Sequence, residues 1–254
     1  VAAAVKLQRH IGRRRAARFL AEGPNLVEAA LRRGLVSEVF ATESAMDRFG
    51  TLLADAPVQL VTERAAKALS DTVTPVGLVA VCRLPETTLD DVLATAPRLI
   101  AVPVQISEPG NAGTLIRAAD AMGADAVVLA GNSVDPYNSK CLRASAGSIF
   151  SLPVIGEPDE AATVARLQAA GLQVLATTID GEVSLDDLDA GGGLAQSTAW
   201  LFGPEAHGLP TELAEAADHR VHIPMPGHSE SLNIASAASI CLYQSARAHR
   251  AHRI

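Results

Sequence analysis

Three short segments hold most of the residues able to do chemistry. The first, Gln105-Ile106-Ser107-Glu108-Pro109-Gly110-Asn111-Ala112-Gly113, has a tight Pro-Gly turn followed by Asn111, a residue suited to cap a helix. Arg117 comes six residues later among Leu115, Ile116, Ala118 and Ala119, where a guanidinium calls for an anionic partner. A capped helix with a surface arginine is the plainer alternative. The second segment, Leu201-Phe202-Gly203-Pro204-Glu205-Ala206-His207-Gly208-Leu209-Pro210, sets two glycines and two prolines around one carboxylate. The backbone amides and carbonyls of so rigid a loop can read an adenine or ribose edge. A turn with Glu205 at a helix N-terminus is the simpler alternative. The third, Ile223-Pro224-Met225-Pro226-Gly227-His228-Ser229-Glu230-Ser231-Leu232-Asn233, runs into a final helix that Ser231 or Asn233 can cap.

Other chemistries fail on local grounds. His207 has no metal-ligand partners at usable spacing. His228, Ser229 and Glu230 are sequence neighbours, whereas hydrolytic triads assemble from distant segments, and no GxSxG elbow is present. No GxGxxG opens the first strand-to-helix turn and no GxxxxGK[ST] occurs, which disfavours ordinary dinucleotide and triphosphate sites.

The elements that must position these loops alternate. Strands are predicted at 99–106, 126–130, 151–155, 172–178, 199–203 and 220–225. Helices are predicted at 112–122, 137–146, 159–170 and 211–217, with a last one over 231–249. Repeated β-α-β order implies a mostly parallel sheet covered on both faces, with ligands at the carboxyl ends of its strands. Before it, PNLVEAALRRG (24–34) reads as a helix, 36–42 and 57–62 as strands, 63–71 as a helix and 77–84 as a buried strand. A linker near Pro85–Pro97 separates the two stretches.

Aromatic residues make up only 3% of the 254, too few for a base-stacking platform of the single-strand-binding kind. Cys82, Cys141 and Cys241 are far apart and without CxxC company, so no disulfide framework or zinc site is expected, and a reducing cytosol is the simplest compartment. No apolar run approaches a membrane span. Residues 1–33 carry eight Lys/Arg and two acids, while the remainder carries 13 and 26. Such a chain does not coat nucleic acid indiscriminately, but its basic N-terminus can dock phosphates. A solvated charged helix face is the alternative.

Taken in order, the motifs resemble those of the SpoU/TrmH family of RNA 2′-O-methyltransferases. EPGNAGTLIRAADAMGADAVVL (108–129), FGPEAHGLP (202–210) and IPMPGHSESLNIASAASICLY (223–243) are similar to its three motifs, and DPYNSKCLRASAGSIFSLPV (135–154) to a connecting segment. FLAEGPNLVEAALRRG and VTPVGLVAV resemble a preceding substrate-binding domain. The resemblance implies an α/β fold, a mostly parallel sheet with a C-terminal trefoil knot, preceded by a small α/β domain like those of ribosomal proteins. It implies a substrate-binding domain over 1–85, a linker over 86–97 and a catalytic domain over 98–254. S-adenosylmethionine, with no metal, would be held by Thr177, Thr178, Leu201, Gly203, Gly208, Ile223, Met225, Ser231 and Leu232. The catalytic set would be Asn111, Arg117, Glu205, Ser231 and Asn233, and RNA would meet Arg13, Arg14, Arg15 and Arg18. The implied protein is a cytoplasmic homodimer acting on RNA, ribosomal rather than transfer RNA, since the separate N-terminal domain resembles those of ribosomal RNA enzymes. A transfer RNA enzyme and a non-catalytic RNA-binding factor of the same fold are the alternatives. Two departures stand out: Glu108 where Asp is usual, and His228 as an insertion-like neighbour of Ser229-Glu230.

Overall fold

Runs of small and branched apolar residues build the sheet on which the site rests. In the computed structural model, which describes residues 1–204 and 206–251, β5 (Leu99–Pro103), β6 (Ala126–Ala130) and β10 (Thr198–Phe202) are buried along their whole length. That pattern belongs to strands covered on both faces. They join β7 (Val154–Glu157), β8 (Gln173–Thr177), β9 (Val183–Ser184) and β11 (His219–His222) in the order β7-β6-β5-β10-β8-β11-β9. Every pairing in this sheet is parallel. The core against it gathers Ile100, Val102, Val128, Leu167, Val174 and Leu201. Trp200, wholly buried, satisfies its indole by donating to Ser245 Oγ at 2.9 Å. Successive strands step outward from β5 through β6 to β7, whereas β8 and β11 lie beyond β10 on the other side. The loops after β8, β10 and β11 therefore leave the sheet side by side. The register shows it: Phe202 and Val221 both stand opposite Thr177.

The first unit has a four-stranded sheet in the order β1-β4-β2-β3: β1 (Arg18–Glu22), β2 (Val36–Ala41), β3 (Val58–Leu60) and β4 (Leu78–Arg83). Pro24 opens the helix Pro24–Arg32, which buries Leu26, Val27 and Ala30. Thr42 and Thr62 cap the helices Glu43–Phe49 and Glu63–Leu69 with their side-chain oxygens. The basic N-terminus is folded, with a helix over His10–Ala16 leading straight into β1.

By internal contacts this unit comprises Val1–Glu86 together with Asp135–Phe150, and the second comprises Thr87–Val134 with Ser151 onward. Within the first, the segment 135–150 forms a helix, Ser139–Ser145, capped by Asn138. The rings of Tyr137 and Phe150 lie 4.8 and 6.0 Å from that of Phe19 on β1. Asp135 accepts from Arg13 Nε at 2.7 Å and pairs with the charge on Nη2 at 2.6 Å, while Nη1 donates to the carbonyls of Leu7 and Gln8 at 3.0 and 2.9 Å. Arg13 is thus 5% exposed and spent inside the unit, contrary to the expectation that it meets RNA. Arg14, Arg15 and Arg18 remain exposed. No helix among the described residues is long and apolar enough to cross a membrane.

Candidate functional site

At the carboxyl ends of β8, β10 and β11 the chain leaves a cavity with about 720 Å³ of empty space counted out to its open mouth. Thr177, Thr178, Gly203, Gly208, Ile223, Met225, Ser231 and Leu232, all expected from sequence, line it together. Leu201 does not, because its side chain points into the core as part of β10. Its carbonyl nonetheless accepts from Thr177 Oγ1 at 2.8 Å, fixing one wall. Sequence reasoning missed Ile179, Phe202, Pro204, Val221, Ile234 and Ala237, which also line the cavity. Ile179 and Phe202 adjoin predicted residues, but Ala237 lies in the last helix, Ile234–Ala251, where only packing shows that it is a wall.

Close backbone approach holds the loops. A Cβ on Gly203 would sit 2.4 Å from Leu209 N and 2.5 Å from Gly208 C, so the loop after β10 folds back on itself only because that side chain is missing. The segment after β8 is pinned to β11 in a similar way. Glu182 accepts from Arg220 N and Nε at 3.0 and 2.9 Å, and the Arg220 backbone amide first, then the Glu182 amide and the Arg220 charge, hold the Glu182 carboxyl below the usual carboxylate range.

Beside the cavity, Asn233 Nδ2 donates to Asn111 Oδ1 at 3.1 Å, joining the first motif to the third across 122 positions. Asn233 Oδ1 also accepts from the amides of Ala235 and Ser236, making it the cap of the last helix, while Ser231 is left to line the cavity. Asn111 is not a cap. Pro109 takes the first position of the helix Pro109–Ala121, so the capping role falls to Glu108, which accepts from Gly110 N at 3.2 Å. Arg117, exposed on that helix, makes no hydrogen bond or ion pair with the described residues, so the anionic partner expected for it is not among them. Glu205 lies outside the described residues. His207 and His228 are exposed, and no group of three or more His, Cys, Asp or Glu among the described residues has a metal-binding arrangement.

The model of the SpoU rRNA Methylase family matches residues 98–243, and that of the MRM3-like substrate binding domain matches residues 1–80. The 23S rRNA (guanosine(2553)-2′-O)-methyltransferase RlmP of Bacillus subtilis is 35% identical over 226 residues, 89% of this chain and 87% of its own. A solved RNA 2′-O ribose methyltransferase superposes with a TM-score of 0.83 at 34% identity, covering 98% of this chain and 95% of the other. The SpoU methyltransferase AviRb from Streptomyces viridochromogenes, solved in complex with the cofactor AdoMet, gives 0.84 at 29% identity, covering 99% and 97%.

Proposed function

The chain belongs to the SpoU rRNA methylase family, and we propose that it transfers a methyl group from S-adenosylmethionine to a ribose 2′-hydroxyl of RNA, with 23S ribosomal RNA as substrate. The observation that carries this reading is that the second and third motif loops, with the loop after β8, line one cavity, beside which the Asn111–Asn233 bond brings the first motif. The cavity suits the cofactor. Its mostly apolar wall fits a nucleoside, Gly203 and Gly208 bare their backbone to it, and the buried Thr178 hydroxyl has no partner among the described residues. Bound there, the cofactor supplies an electrophilic methyl on a sulfonium. Thr177, Thr178, Gly203, Gly208, Ile223, Met225, Ser231 and Leu232 are the residues we assign to holding it.

The remaining work falls to the chain's own polar groups. Arg117 grips the target phosphate and stabilises charge developing on the ribose oxygen. The Asn111–Asn233 pair and Ser231 orient the sugar, and Glu205 steadies the guanidinium or its loop. The reading includes a homodimer: within one chain Arg117 faces solvent without a partner among the described residues, and a second subunit supplies the other half of its surroundings. RNA is recognised by the first unit, the expected 1–85 domain completed by 135–150, with Arg14, Arg15 and Arg18 on phosphates; catalysis belongs to the second, which takes in the expected 86–97 linker from Thr87 onward. A cytoplasmic location and the C-terminal knot implied by the resemblance belong to the same proposal. The backbone crowding at Gly203 and Gly181 is of the kind a threaded chain requires.

The test is methyl transfer from labelled S-adenosylmethionine to ribosomal RNA taken from cells lacking the protein, followed by mapping of alkali-resistant linkages. A single 2′-O-methylated ribose is expected, with loss of turnover but not of cofactor binding in Arg117→Ala. Methyl groups found only on bases, or none at all, would refute the reading.

A further inference from the structure

The turn that joins the helix Glu63–Leu69 to β4 is held at both ends and bare at its tip. At its start Glu22, on β1, accepts from Ser70 Oγ, from Thr72 Oγ1 at 2.8 Å and from the amide of Asp71 at 3.3 Å. Gln8 Nε2 donates to the Ala68 carbonyl at 3.0 Å, and Ser139 Oγ donates to Asp71. At its end Thr42 N donates to the Gly77 carbonyl at 2.9 Å. Gly77, at φ +72°, lies so close that a Cβ there would meet Thr42 Oγ1 at 2.4 Å. Between these anchors the chain reads Val73-Thr74-Pro75-Val76, three β-branched residues and a proline, all short of conformational freedom. Yet Val73 is 99% exposed, and Val76 is exposed as well. The fold gains nothing from a wholly solvated valine, and glycine, asparagine or serine would serve a turn as well.

From this we infer that Val73 packs against the face of an unpaired nucleobase in the bound RNA, an inference that rests on the RNA-methyltransferase reading. Cations flank the base of the turn. Lys67 lies on the helix that leads into it, Arg9 follows Gln8 and Lys140 follows Ser139, and all three are exposed. Arg9 and Lys67 form no ion pair with the described residues. The two acids at the same place, Glu22 and Asp71, serve as acceptors that hold the turn. A stiff apolar tip between cations matches single-stranded RNA, whose phosphates meet the charges and whose unstacked bases offer flat apolar faces. Paired RNA fits less well, because its base faces are stacked on one another and out of reach. The stiffness matters too: a tip already held in place loses little freedom on binding.

Binding of the full chain to bare ribosomal RNA from cells lacking the protein, measured across a salt series, tests this. In Val73→Ser the affinity is expected to fall about tenfold at every salt concentration, the lower end of what burying one valine supplies. The slope against salt stays that of wild type, since no phosphate contact is lost. Val73→Ile, which keeps the tip apolar, binds within about twofold of wild type. The urea midpoint of the serine variant does not move, because the side chain buries nothing in the free protein. Unchanged affinity in Val73→Ser would overturn the inference while leaving the RNA reading intact. A lowered urea midpoint would overturn it in favour of a structural role, and a flatter salt slope in favour of electrostatics. A loss seen with ribosomal particles but not with bare RNA would move the tip onto a protein. If wild-type protein binds no RNA, the RNA reading falls and this inference with it.

Discussion

Replacing Arg13 by methionine separates a structural arginine from an RNA-binding one. The guanidinium gives one hydrogen bond and a second ion-pair contact to Asp135 and one hydrogen bond each to the carbonyls of Leu7 and Gln8, with the side chains of Arg13 and Asp135 only 6% and 17% exposed. Methionine keeps most of the volume but strands the carboxylate. Removing one partner of a buried pair costs about 3–5 kcal/mol. Asp135 keeps the amide of Tyr137 at 2.9 Å and a little water, which places the expected loss near the lower end, about 3 kcal/mol. Adding Asp135→Asn removes the stranded charge while keeping an acceptor for that amide, so the double variant should recover about 1 kcal/mol or more. Urea unfolding followed by far-ultraviolet circular dichroism measures both. RNA binding across a salt series completes the test, because a buried arginine neutralises no phosphate: Arg13→Met leaves the slope unchanged. Joint replacement of Arg14, Arg15 and Arg18 by glutamine lowers the slope by about 2–3 with stability intact. An unchanged urea midpoint together with a flatter salt dependence in Arg13→Met would refute this account.

Three further outcomes are expected. Gly203→Ala drives a Cβ into the backbone of Gly208 and Leu209, so it should cost about 1–3 kcal/mol in thermal unfolding and weaken S-adenosylhomocysteine binding measured by calorimetry. Asn233→Ala removes both the cap of the last helix and the bond to Asn111, lowering stability by about 1 kcal/mol and reducing kcat more than cofactor affinity. Burial pushes the thiols of Cys82 and Cys141 up to about 12 and raises that of Cys241, so an aromatic disulfide reagent at pH 8 should label none of them before unfolding. Because the folded values lie above the unfolded thiol value of about 8.5, this contribution to stability is complete below that pH. It is lost as pH climbs toward 12, visible as a falling urea midpoint.

Where burial on both faces dictates composition, sequence was enough. The run AVVLA predicts β6 at 126–130 and the strand spans those residues, and the parallel order follows from the alternation of elements. β1 escaped because Arg18 and Glu22 at its ends hide an alternation that only Phe19 and Ala21 carry into the core. The helix Leu89–Leu93 lies inside the expected linker, although Thr88 and Asp91, three apart, form a reciprocal capping box that was legible. The family resemblance carried by the motif loops marked eight cavity residues in advance. What remained hidden is pairwise and distant. Nothing near Arg13 in sequence announces an acid 122 positions away, and nothing in a Thr-Thr pair says which hydroxyl the fold leaves unsatisfied.

The two-piece composition of the first unit sets a schedule for its birth. A ribosome that has released residues 1–86 has delivered four strands, but not the rings that sandwich Phe19 or the anion that neutralises Arg13. Those arrive only with residues 135–150, roughly 3–13 s later at about 5–20 residues per second. Until then the nascent half-domain waits with an aromatic face uncovered and a cation unanswered, a window in which a chaperone or its own degradation can reach it.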